Sequence, residues 1–346
     1  MGILKKFSWM LLLALAGGCS LVDEDLSDCD KELGIDYELR LVTNMRIEMD
    51  TVLDEEADRY VYKALENYLK DIFSDFAHDV DLSFYDTNEP MGVLKHMSEI
   101  MDANQTSYTL HLPVREYMHL AIANIIGNEV ISLEGITECH SSKIDQLFPE
   151  SGNCIPHSTG LFTARLPMNI RADISQHFNV DLYMANCATA LVMETSGAES
   201  VKGVQVIDKG FADSFNIADS TYTYNRPVQV EGADLPVEGG SEKCYVSVHF
   251  PSRDYRPESK VVIETIDPFV SLDAEDSIWQ WEVYVTTADG KITKNTLGIR
   301  KPLRAGQLKI LKVKLHDTGI VTVQDPTVAV GVQLDWNPGL DHTIPL

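Results

Sequence analysis

Hydrophobic and polar positions alternate in short runs along most of this chain, the period of half-buried strands. Tyr37-Glu38-Leu39-Arg40-Leu41 is the first run, and Val80 to Tyr85, Tyr108 to Leu112, His119 to Ile126 and Leu161 to Leu166 follow between turn-forming residues. A second series runs from Val180 to Glu194 through Gly203 to Ile207, Cys244 to Phe250, Val261 to Ile266 and Trp279 to Val285. Asp289-Gly290 predicts a hairpin over Ala288 to Lys291, because Asp-Gly accommodates the positive φ angles of a tight turn. Leu308 to Leu315 and Val328 to Trp336 are the closing strands. The last alternates most cleanly: Val328, Val330, Val332, Leu334 and Trp336 share one face, and Ala329, Gly331, Gln333 and Asp335 the other.

One segment has a different period. Tyr60, Val61, Ala64, Leu65, Tyr68, Leu69, Ile72 and Phe73 recur at three- and four-residue steps, which predicts a helix over Asp54 to Phe76 with one apolar stripe. Asp54 suits its N-cap, and Glu55 and Glu56 suit the positive end of the helix dipole. Such a stripe is a packing face rather than a ligand site.

Many short strands with little helix predict a mainly β fold of two β-sandwich domains in series, with the amphipathic helix in the first. The expected boundaries are 33–172 for the first domain and 173–346 for the second. Ahead of them, Lys5-Lys6, an apolar run from Phe7 to Ala16 and Gly17-Gly18-Cys19 have the layout of a secretory leader, too short in its core to span a bilayer. Leu15 four residues before Cys19 resembles a lipobox, so residues 1–18 read as a removed signal peptide and Cys19 as a lipidated N-terminus. A stably held, multiply acylated cysteine follows from about 0.8 kcal/mol per buried methylene. Residues 19–32, with Asp23, Glu24, Asp25, Asp28 and Asp30, read as a solvated acidic tether.

Charge narrows the partners. The chain carries 53 acidic and 28 basic residues for a net charge of −25, which excludes nucleic acid as a partner and leaves the lipid, not side chains, to hold a membrane surface. Of six cysteines, lipidation of Cys19 leaves Cys29, Cys139, Cys154, Cys187 and Cys244. Cys139 and Cys154 flank a polar, loop-like stretch and form the preferred disulfide in an oxidising compartment. Metal ligation by these two with His140 and His157 is the sharper alternative, yet their spacing matches no CxxC-type zinc signature. Cys187 lies in an apolar run and reads as a small buried hydrophobe.

Catalytic layouts are missing: the sequence has no GxSxG elbow, Walker loop, HExxH or glycine-rich dinucleotide turn. No catalytic residue, metal ligand or cofactor is assigned, and the expectation is a protein that is not an enzyme. Acid pairs are uninformative among so many carboxylates. Asp273, Glu275 and Asp276 read as a solvated loop, and Trp279 and Trp281 as core rather than a sugar platform. Asp50-Thr51-Val52 and Asp276-Ser277-Ile278 resemble short O-glycosylation sites of some gut-type bacteria.

The lipoprotein cysteine, the tether Ser20 to Asp30 with Cys29-Asp30 at its end, Pro302-Leu303-Arg304-Ala305-Gly306-Gln307 leading into the strand Leu308 to Leu315, and a closing strand ending in Trp336 occur in that order. Together they resemble the Bacteroidales-type fimbrial anchor subunits, the minor fimbrillin-associated lipoproteins. The resemblance implies two transthyretin-like sandwiches and a role at the base of a type V fimbria, fixing the filament in the outer membrane and limiting its length. It further implies shaft subunits as partners, which polymerise by losing a first strand and accepting a neighbour's C-terminal strand. A lipidated anchor must keep its own first strand, and Val328, Val330, Val332, Leu334 and Trp336 become candidates for a donated strand. An ordinary core strand of the second domain is the alternative for those residues. The helix and the Cys139 to Cys154 insert depart from the family layout. The competing function is a surface lipoprotein that binds glycan or host protein without a filament.

Overall fold

A computed structural model describes residues 32–42, 46–73, 77–101, 106–150, 152–253 and 277–334. The leader, Cys19, the tether through residue 31, Cys29, the strand expected over Val261 to Ile266, the Asp273 to Asp276 loop and Trp336 lie outside the described residues.

The first half contains β1 (Glu32–Val42), α1 (Arg46–Val52), α2 (Arg59–Ile72), β2 (Asp79–Tyr85), β3 (Val93–Ile100), β4 (Ser107–Pro113), β5 (Glu116–Ala123), β6 (Ile131–Glu134), β7 (Lys143–Gln146), β8 (Phe162–Asn169) and β9 (His177–Met184). Seven of these strands form one ribbon in the order β3-β2-β5-β8-β9-β1-β4. The β8–β9 ladder holds for just two pairs, Phe162 with Met184 and Thr163 with Tyr183, and there the ribbon folds into two layers. Contact across the fold is direct: the Tyr37 hydroxyl on β1 lies 2.6 Å from His119 Nε2 on β5, although two strands separate β1 from β5 in the ribbon. Ile35, Leu39, Leu110 and Leu112 on one layer bury with Val80, Leu82, Phe84 and Ala121 on the other.

The second half contains β10 (Cys187–Glu194), β11 (Val201–Phe211), β12 (Ser214–Asn216), β13 (Thr221–Thr223), β14 (Val228–Glu231), β15 (Ala233–Leu235), β16 (Glu242–His249), β17 (Trp279–Thr287), β18 (Ile292–Ile299), β19 (Leu308–Leu315), β20 (Val321–Val323) and β21 (Val328–Gln333). Two five-stranded sheets, β15-β16-β10-β19-β20 and β14-β11-β17-β18-β21, enclose a core of Leu191, Leu311 and Val313 against Trp281, Val283 and Leu297. The β17–β18 turn is the expected hairpin, with Gly290 at φ 83°. The fold is therefore mainly β and built as sandwiches.

The run from Val180 to Glu194, a single strand by its pattern, is two strands in different sandwiches. β9 ends at Met184 in the first and β10 begins at Cys187 in the second. The break is held by Asn186, a buried side chain that accepts from Leu161 N–H at 3.1 Å and donates to the Thr159 carbonyl at 3.0 Å. Burial on both sides of the break hides it from hydropathy.

The two insertions lie between the sandwiches. Val61, Leu65 and Leu69 of α2 join the cluster that holds Cys244, Val246 and Val248 of β16 and Leu308 and Ile310 of β19, so a helix from the first half covers a sheet of the second. Nζ of Lys312 reaches Asp58 at 2.8 Å beside it. The helix is shorter than its periodicity predicts, beginning at Arg59. Asp54 instead caps the turn before it, accepting from Glu56 N–H at 2.9 Å and Ala57 N–H at 2.8 Å, which holds its carboxyl below the usual range. Tyr60, expected in the stripe, is 39% exposed. The second insertion gives β6 and β7, which join β12 and β13 in a sheet ordered β13-β12-β7-β6. Ile144, Phe215 and Ile217 of this sheet and its loop pack on Tyr85, Leu120 and Ile122, the outer face of the first sandwich.

Candidate functional site: the first and last strands

β1 is the middle strand of its layer. It pairs parallel with β9 from Asp36 to Val42 and antiparallel with β4 from Glu32 to Glu38, and its Ile35, Tyr37 and Leu39 point into the core. Both backbone edges are thus engaged, and burial raises the Tyr37 hydroxyl well above its ordinary pKa. Removing β1 would open a slot lined by β4 and β9 and strand His119.

Among the described residues β21 is paired on one edge only. It pairs antiparallel with β18, with Val328 opposite Ile299, Val330 opposite Leu297 and Val332 opposite Asn295. Directly opposed residues share a face, and Leu297, Ile299 and Asn295 are all buried. The valines therefore face inward, as their alternation predicts. Coverage fails along the strand, however: Val328 is 7% exposed, Val330 41%, Val332 42% and Leu334 61%. The facing sheet ends in β20, three residues long, and it does not reach the far half of β21. An apolar row at the mouth of a sandwich on an edge strand is a surface that another sheet could cover.

Cys139 and Cys154 are free, buried thiols in separate clusters, and the expected bridge is not formed. Cys139 packs with Tyr85, Leu120 and Ile144, whereas Cys154 packs beside Val228 and Val230, its N–H donating to the Gln229 carbonyl at 2.8 Å. The insert pairs with β12 rather than closing on itself, which separates its ends. His157 is buried against Gln146 Oε1 at 2.9 Å, while His140 is half-exposed near Glu89 and Asp219. Among the described residues no group of three His, Cys, Asp or Glu is placed to hold a metal. Trp279 and Trp281 are 2% and 0% exposed, in the core as expected.

Sequence reasoning missed a buried polar chain. Cys187 Sγ lies 3.5 Å from His249 Nδ1, His249 Nε2 lies 3.3 Å from Asp208 Oδ2, and Thr189 Oγ1 donates to the same oxygen at 2.6 Å. This has the order of a nucleophile, base and orienting acid, but all four side chains are sealed from solvent. Burial pushes the Cys187 thiol well above its ordinary pKa, the opposite of the lowered pKa that activates a nucleophilic cysteine. The chain ties the two sheets of the second sandwich together.

Two sandwiches, a central first strand, a half-covered last strand and a sealed polar core define a mainly β protein built from packed sandwiches. Residues 28–232 match the fimbrillin-A associated anchor proteins Mfa1 and Mfa2, and the chain belongs to that family. It is a family of fimbrial structural proteins, not an enzyme class. Similar solved structures include a candidate adhesin from Bacteroides ovatus, with 10% identity, 90% of this chain and 97% of that one covered and a TM-score of 0.50. The fimbrial anchor protein Mfa2 from Porphyromonas gingivalis shows 11% identity, coverage of 88% and 98% and a TM-score of 0.46. The tip fimbrial protein Mfa3 of the same organism shows 10% identity, coverage of 88% and 100% and a TM-score of 0.44. No curated protein matches the chain. Among the described residues no helix is long and apolar enough to cross a membrane.

Proposed function

We propose that this chain is the lipid-held base of a surface fimbria, anchored in the outer membrane through Cys19 and joined to the last shaft subunit through its C-terminal strand. The observation that carries the reading is the pairing of roles at the two ends. β1 is paired on both edges, with β4 and β9, which supports a chain that keeps its first strand and offers no slot for a further subunit. β21 is bound along one edge and leaves Val330, Val332 and Leu334 partly uncovered. Strand transfer exchanges one set of main-chain hydrogen bonds for another and buries those side chains in the partner's groove. Filament growth then stops at this subunit, which limits length.

Truncation after Asp325 removes the proposed donor. Val330→Asp with Val332→Asp is the gentler companion, because both side chains are already about two-fifths exposed, and circular dichroism checks that the sandwich stays folded. Either change is expected to release fimbriae from cells while the lipoprotein remains in the outer membrane. Retention of fimbriae by both folded variants would sink the donor assignment.

A further inference from the structure

The splayed β8–β9 hairpin opens a cleft of about 540 Å³ between the first sandwich and the tip of the β12–β13 hairpin. This lies within the roughly 300–1,000 Å³ of small-molecule sites, which favour junctions between structural units. Thr163 and Arg165 line it from the outward row of β8, Asn179, Asp181 and Tyr183 from that of β9, and Phe215, Ser220 and Tyr222 from the opposite wall. Phe215 and Tyr222 are packed together with ring centres 4.6 Å apart, giving a fixed aromatic wall. Tyr183 is 58% exposed. Ser220 adopts φ 52°, a left-handed conformation uncommon outside glycine, at the hairpin tip overhanging the cleft.

We infer that this cleft binds a neutral carbohydrate. The side chains of Arg165 and Asp181 carry opposite charges to one cavity, yet among the described residues neither side chain makes an ion pair or hydrogen bond. The arrangement suits a ligand that accepts from a guanidinium and donates to a carboxylate while carrying no net charge, and a polyol does both. The exposed Tyr183 ring offers a flat face for the C–H side of a sugar, and Asn179, Thr163 and Ser220 add amide and hydroxyl groups. A polyanion is disfavoured by the net charge of −25. An added strand fits less well. Pro167 removes a donor from β8, and the far end of the hairpin is closed by Gln176, which donates to the Asn169 carbonyl at 2.8 Å and accepts from Arg171 N–H at 2.7 Å.

The inference is independent of the fimbrial role. Its test is an array of neutral oligosaccharides built from glucose, galactose, mannose, fucose and N-acetylhexosamines, probed with the full mature chain and followed by calorimetric titration of the strongest binder. The same titration is run on Tyr183→Ala, Asp181→Asn and Arg165→Gln, whose exposed positions leave the unfolding transition unchanged. Binding by the wild type and at least tenfold weakening in two or more variants is expected. No binding across the array, binding confined to sialylated or sulfated glycans on an added panel, or unchanged affinity in two or more variants would overturn it.

Discussion

Leu65→Ala tests whether the inserted helix joins the two sandwiches energetically. Leu65 belongs to the first half of the chain, is 0% exposed, and shares a core with Val246 of β16 and Leu308 of β19. Removing three carbons from a fully buried site costs about 2–5 kcal/mol, the transfer loss plus the cavity. Tryptophan fluorescence reads the consequence where it matters, because Trp279 and Trp281 both lie in the second core. Urea unfolding followed by that signal should lose at least about 2 kcal/mol in Leu65→Ala, although the substitution lies outside the second sandwich. Lys312→Ala is the matched control: its pair with Asp58 is 46% exposed on the lysine side, so its loss should cost about 0–1 kcal/mol. If the tryptophan transition of Leu65→Ala stays within about 0.5 kcal/mol of wild type while far-ultraviolet dichroism shows an earlier transition, the sandwiches unfold independently and the helix is not a tie.

Three further outcomes follow from buried groups. Burial lowers His119 to about 4 and His157 to about 3, the latter helped by nearby His249, while both titrate near 6.5 when unfolded. A base with a depressed folded pKa contributes stability above its unfolded pKa that is lost as pH falls, so each should cost about 2 kcal/mol between pH 7 and pH 5 in urea titrations. His157→Gln should flatten that slope; an unchanged slope would refute the assignment. Gly210, at φ 102° in the β11 bulge, has no room for a side chain, since a Cβ would sit 2.8 Å from the Ile278 carbonyl and from Trp279 Cα. Gly210→Ala should destabilise by roughly 1–3 kcal/mol or more in the tryptophan-detected transition. Finally, Cys187→Ser should leave any surface function intact, because its thiol is sealed; loss of fimbrial retention in a folded Cys187→Ser protein would show the polar chain has a role beyond packing.

Strand content was legible because alternation survives wherever one face is buried. The hairpin at Gly290 and the core placement of Trp279 and Trp281 follow directly from local pattern. What the pattern could not carry was partnership between distant segments. The stripe on α2 is visible, but nothing in it says that β16 and β19 of the other sandwich cover it. The Cys139 to Cys154 insert reads as a loop because β6 and β7 are four residues each and find their sheet in β12 and β13, some seventy positions later. The Asn186 break between β9 and β10 is hidden for the converse reason, an apolar run buried on both sides. In β21 the alternation groups Val328, Val330 and Val332 on one face, yet how far the opposite sheet extends over them depends on the length of β20. The Arg165 and Asp181 cleft has no local signal, since it exists only where β8 and β9 part.

Electron microscopy of the native bacterium carrying Cys19→Ala, beside the deletion strain, tests the anchoring role most directly. Filaments of increased length shed into the medium from both strains, with bare cell surfaces, are the expected result. Filaments of ordinary length still fixed to the cells in both strains would contradict it.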